Sequence, residues 1–142
     1  MVPISDARLA RAVPQFTVPD VVRTATHYRD SLGFEIRGYW DGESVHDDPG
    51  RVALFGIVER DGVTLHFNRA DESPVRTGRA AGAYDVYIQV NAVDKLAEEL
   101  RRRGAEILEG PEDKVYGQRE LIVRDCNGLV LAFAEAVSSR AT

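Results

Sequence analysis

Alternation of apolar and polar positions divides this chain into two similar halves. In the first, Val13 to Val18 is strand-like, Pro19-Asp20 interrupts it, and Val21 to Leu32 repeats its apolar residues at helical spacing before stopping at Gly33. Asp20 is placed to accept hydrogen bonds from the orphan amides of the first helical turn, and Gly33 suits a left-handed cap. A strand-like run from Phe34 to Trp40 follows, then a polar loop from Asp41 to Gly50 and a β-rich run from Val52 to Val58. Asp61-Gly62 predicts a tight hairpin turn into Val63 to Asn68.

The same pattern recurs in the second half. Phe16-Thr17-Val18-Pro19-Asp20-Val21 is echoed by Ile88-Gln89-Val90-Asn91-Ala92-Val93, and Leu32-Gly33-Phe34-Glu35-Ile36 by Arg103-Gly104-Ala105-Glu106-Ile107. The turn and strand Gly62-Val63-Thr64-Leu65-His66-Phe67 matches Gly128-Leu129-Val130-Leu131-Ala132-Phe133. Such self-similarity marks a repeated supersecondary unit. Strand, helix, strand, strand, strand occurring twice predicts an α+β fold: two paired βαβββ modules forming a curved mixed sheet around a cleft, with helices on the outer face. Module one spans about 12–69, a linker 70–83 and module two about 84–136. Neither half is large enough to hold a full core alone, so residues 1–142 are expected to form one domain.

Side chains alternate between the faces of a strand, which assigns each residue to a side. Leu129, Leu131 and Phe133 share one face, as do Val63, Leu65 and Phe67, and these are expected to lie under the helices with Phe16, Val18, Val86, Ile88 and Val90. The other face then carries Thr64, His66, Asn68, Val130, Ala132 and Ala134 from the closing strands. From the opening strands it carries Val13, Gln15, Thr17, Asp85, Tyr87 and Gln89. A mixed apolar wall with a few converging polar groups has the composition of a ligand pocket, although half-wet faces that meet only solvent or a partner subunit are also common.

Composition narrows the class. With 44% hydrophobic and 29% charged residues among 142, neither disorder nor a fibrous chain fits. A net charge of −5 without a basic stripe argues against nucleic-acid binding. The longest apolar runs are far too short to span a membrane, and the polar N-terminus lacks a signal-peptide core, so a soluble cytoplasmic protein is expected. The single cysteine, Cys126, excludes an intrachain disulfide and a multi-cysteine zinc site, and nothing near it in sequence suggests activation. His27 in the helix and His46 in the acidic loop read as exposed surface histidines, and the run from Glu98 to Arg103 as a solvated helix face.

The doubled unit, the opening FTVPDVVRTATHYRDSLGFEI, the hairpin ERDGVTLHF and above all the ending VYGQRELIVRDCNGLVLAFAE resemble the glyoxalase/bleomycin resistance protein/dioxygenase group, the vicinal oxygen chelate superfamily. The resemblance covers roughly Ala12 to Glu135 and is nearest to the bleomycin resistance branch. In its ending motif Tyr116 stands for a tryptophan, Gly117, Arg119, Glu120, Arg124, Asp125 and Gly128 match, and Cys126 replaces a proline. Enzymes of the family hold a divalent metal with two side chains from opening strands and two from closing strands. The corresponding positions here are Val13, Asp85, His66 and Ala132, of which only His66 and Asp85 carry a donor. Two ligands fall short of the three usually needed to hold a catalytic ion.

The resemblance therefore implies a metal-independent binding protein without a cofactor, a homodimer that sequesters an antibiotic-like, planar or cationic natural product. A divalent-metal-dependent glyoxalase or dioxygenase is the alternative. Family clefts of this kind are lined by aromatics that stack on flat rings. The candidate walls are Tyr39, Trp40 and Phe55 from the second and third strands, Tyr87 from the fifth and Tyr116 from the loop before the seventh, with His66, Asn68 and Asp85 as orienting polar groups. Trp40 and Tyr116, where strands run into loops, fall at the expected mouth.

Overall fold

The computed structural model describes residues 1–70 and 83–140, so the expected linker lies almost wholly outside the described residues. Module one runs β1 (Gln15–Val18), α1 (Val21–Leu32), β2 (Glu35–Trp40), β3 (Val45–His46), β4 (Phe55–Arg60) and β5 (Val63–Arg69). Module two runs β6 (Val86–Gln89), α2 (Val93–Arg102), β7 (Glu106–Asp113), β8 (Gln118–Arg124) and β9 (Val130–Ala136), followed by a short α3 (Val137–Arg140). The expected α+β architecture is present as two mixed sheets, ordered β1-β5-β4-β2-β3 and β6-β9-β8-β7. In each, the opening strand lies parallel to the closing strand and the remaining pairs are antiparallel. The short β3, which the alternation pattern does not separate from its loop, pairs with the end of β2.

Local chemistry explains the element ends. Asp20 accepts a hydrogen bond from the Arg23 amide at 3.0 Å, and Gly33 closes α1 in the left-handed region at φ 74°. In α2 the residue before the helix is Ala92, which has no capping side chain, and Glu135 reaches across from β9 to accept from the Val93 amide at 3.2 Å. Asp61 and Gly62 both take positive φ, 51° and 84°, as a two-residue hairpin between right-twisted strands requires.

The faces separate as the alternation predicts. Val18, Leu65 and Phe67 of the first sheet and Leu121, Val123 and Leu131 of the second are fully buried, and they join one cluster with Val21, Tyr28 and Leu32 of α1 and Val93 and Leu100 of α2. Each such side chain contributes roughly 1.5–3 kcal/mol when fully buried. Polar contacts tie the modules together on this side. The Tyr28 hydroxyl donates to Asp125 at 2.7 Å, while the other oxygen of Asp125 accepts from the amides of Asn127 and Leu129 at 2.8 and 2.9 Å. Asn127 also donates to Thr24 at 2.9 Å, and Arg60 forks onto Glu99 at 2.9 and 2.7 Å. The helix-covered sides of both sheets thus meet in one core, and their other faces look away from it. No helix among the described residues is long and apolar enough to cross a membrane.

Candidate functional site

On the first sheet, register brings most of the expected side chains to one surface. Trp40 is opposite Phe55, Phe55 opposite Asn68, and His66 lies between Gln15 and Ile57. The Phe55 ring stands edge-on to His66 with centroids 5.0 Å apart. The Gln15 amide nitrogen lies 3.2 Å from His66 Nδ1, which therefore accepts, and the Gln15 oxygen accepts from Asn68 at 3.4 Å. This relay fixes the imidazole's proton on Nε2. Desolvation, and after it the positive charge of Arg11, lower the His66 pKa, so the ring is neutral at pH 7. Trp40 remains 43% exposed.

On the second sheet, Tyr87 is opposite Ala132, and Ala134 is opposite both Gln89 and Glu120. Glu120 is 1% exposed, and three tyrosine hydroxyls donate to it: Tyr116 at 2.7 Å and Tyr87 at 2.8 Å to one oxygen, Tyr84 at 3.3 Å to the other. The small Ala132 and Ala134 leave the room that these rings take. Burial and then the bond to Glu120 push the Tyr87 pKa up, and the bond to Glu120 and then burial push Tyr116 up to about 12. At neutral pH both phenols are hydrogen-bond donors rather than bases. Tyr87 and Tyr116 nevertheless stay 43% and 61% exposed, so their rings are open to a ligand.

Three expectations need correction. His27 is half-buried in α1 rather than exposed, its Nε2 enclosed without a partner among the described residues. Tyr39 does not share the wall with Trp40: it is opposite Gly56 with its ring against the helix-covered side, buried in the core and beside His46. Alternation along β2 puts neighbours on opposite faces, so only one of this aromatic pair can face a ligand. His46 is buried rather than exposed, its Nε2 bonded to the Val52 carbonyl at 2.8 Å and its Nδ1 accepting from the Asp48 amide at 3.1 Å, and it holds the loop closed. Asp85 sits at the edge of the second face, where it accepts from the Val130 amide at 2.8 Å. Sequence reasoning missed Tyr84 and the role of Glu120. The strand parity of Glu120 with Ile122, whose partner is Ala132, was the signal available.

Two hollows among the described residues lie near the ends of these elements. One of about 420 Å³ lies at the start of α1 between Pro19, Arg23, Arg51 and Val52. Another, of about 430 Å³, opens at the ends of β6 and β9 with Gln89, Ala134 and Ala136 on its wall.

The family model described as the glyoxalase/bleomycin resistance protein/dioxygenase superfamily matches residues 8–133. The chain belongs to that superfamily. No protein of curated function matches the sequence. Among solved structures, TioX from Micromonospora sp. ML1 is 20% identical with a TM-score of 0.67, over 89% of this chain and 98% of that one. The bleomycin-binding protein from Streptomyces verticillus, complexed with copper(II)-bleomycin, is 24% identical with a TM-score of 0.61, over 89% and 96%. A glyoxalase-related enzyme from Clostridium phytofermentans is 14% identical with a TM-score of 0.67, over 92% and 98%. At these identities the likeness is one of fold.

The superfamily's metal positions can be tested on this donor set. Val13 and Ala132 offer no lone pair, His66 is held by Gln15, and Asp85 is bonded to backbone. Among the described residues no three His, Cys, Asp or Glu side chains converge as a metal site. The residues present do not fit a superfamily metal centre.

Proposed function

We propose that the protein is a metal-independent small-molecule-binding protein that works as a homodimer. A planar or cationic, antibiotic-like natural product would be held between the first-sheet face of one copy and the second-sheet face of the other. The observation that carries this reading is the exposure of Trp40, Tyr87 and Tyr116 on faces turned away from the shared core. Aromatic surface left open beside ordered polar groups is what a binding cleft requires. A flat ring stacked between two aromatics gains about 0.5–1.5 kcal/mol per pair beyond area burial. His66, Asn68 and Gln15 supply fixed donors and acceptors at the edge of such a ring. A second copy is needed because the two aromatic faces of one chain both look away from its core. The bleomycin-binding relative shows that this fold can carry such a ligand, which supports the reading by analogy.

Trp40 is the only tryptophan, so its fluorescence reports directly on the wall. Titration with phenazine and with a panel of planar and bleomycin-type antibiotics is expected to quench it saturably with no turnover. No quenching and no calorimetric heat across the panel would remove the support for this function. Elemental analysis of protein purified without chelator tests the enzyme alternative, and a stoichiometric divalent ion would overturn the metal argument.

A further inference from the structure

Resting on the small-molecule reading above, we propose that Glu120 with Tyr84, Tyr87 and Tyr116 forms a site for an organic cation of the ligand, a quaternary or tertiary ammonium group lying on the tyrosine rings. Glu120 is almost wholly buried, yet every partner it has is neutral: three phenol hydroxyls. Among the described residues no arginine or lysine pairs with it, and the nearby Lys114 is engaged by Glu109 and Glu112. Among the described residues the module-two face therefore keeps one uncompensated negative charge beneath an aromatic surface. Burying a charge without a counter-ion is costly, and a cation brought by a ligand offsets that cost.

The geometry also selects the kind of cation. All three hydroxyls point inward to the carboxylate, so a ligand meets rings rather than oxygens. Donating to an anion enriches each ring in π-electron density and strengthens its attraction for a cation at its face. A hard metal ion needs a shell of about six or more oxygen ligands, which this arrangement does not offer. A compact, weakly hydrated ammonium needs only ring faces and a nearby negative charge. Gln118, two positions before Glu120 on the same face of β8, adds a buried carbonyl oxygen that has no partner among the described residues. Among the described residues one unmet acceptor thus lies beneath the same face as the carboxylate. This site is separate from the Trp40 and Phe55 wall, which belongs to the other sheet.

Choline and its uncharged isostere 3,3-dimethylbutan-1-ol separate charge from shape. Followed by calorimetry and by the tyrosine ring signals in NMR, choline is expected to bind saturably and the isostere at least about tenfold more weakly. Glu120→Gln and Tyr116→Leu, each checked for folding by NMR, should weaken choline by about tenfold. Equal binding of choline and the isostere, choline binding unchanged in both variants, or no choline binding at all would overturn the assignment. If phenazine still quenches Trp40 in that event, the small-molecule reading stands without the cation site, whereas loss of both overturns both.

Discussion

Modules one and two share a strand order and a helix position but secure them by different means. In module one the fastening is local: Asp20 caps its own helix, Gly33 ends it, and the hairpin turn Asp61-Gly62 is exposed. In module two residues distant in sequence take a share of these tasks. Glu135 caps α2 from β9, and Asp125 in the equivalent turn is buried under Tyr28 of module one. The sheet faces turned from the core differ in parallel. Module one presents a neutral imidazole–amide relay beside aromatics, and module two an anion screened by phenols. The shared βαβββ plan thus sets where side chains point, while each module's own residues decide what that surface attracts.

The largest way to break this comparison is at the junction. Asp125→Ala removes the acceptor of three hydrogen bonds, two of them buried and one of them joining the modules, and should lower stability by about 3 kcal/mol in urea unfolding. Tyr28→Phe loses one of those bonds and should cost about 1–2 kcal/mol. Next come the caps. Asp20→Ala should cost about 1 kcal/mol, and Glu135→Ala a similar amount. Native-state hydrogen exchange should show the first confined to α1 and the second spread over α2 and β9, and the reverse pattern would contradict the local-versus-distant distinction.

Acid should distinguish the modules as well, because all three histidines lie in module one. Desolvation lowers the pKa of His27, whose Nε2 is buried without a partner among the described residues. The unfolded chain then takes up that proton more readily than the folded one, so stability should fall as pH drops below about 6.5 and level off below the lowered native value. His27→Gln should flatten that slope in pH-dependent thermal unfolding. The smallest effect on stability is expected at Trp40: Trp40→Ala should change it by no more than about 0.5 kcal/mol, whereas Tyr116→Ala, which takes a donor from buried Glu120, should cost about 1–2 kcal/mol, and both should weaken ligand binding at least about tenfold.

Much of this division is legible in the sequence. Repeated alternation placed Leu65 and Phe67 with Leu131 and Phe133 on the core side, and Asp20, Gly33 and Asp61-Gly62 marked turns and caps through their own chemistry. Local signals of that kind survive folding because they act within a few residues. Tyr39 departs from the expected wall because strand parity, not aromatic character, decides which face a residue of β2 takes. His46 and Glu120 were opaque for a different reason: their partners, Val52 for one and Tyr84 and Tyr87 for the other, are supplied by loop closure and strand pairing. No local pattern announces that a carboxylate will be buried under three phenols.

The central claim is that Trp40 of one copy and Tyr116 of another face the same small molecule. Phenazine titration of Trp40 fluorescence, repeated on Tyr116→Ala, tests it most directly. Saturable quenching at one ligand per chain, weakened at least about tenfold in the variant, is the predicted result. Absence of quenching, or quenching identical in the variant, would contradict the account.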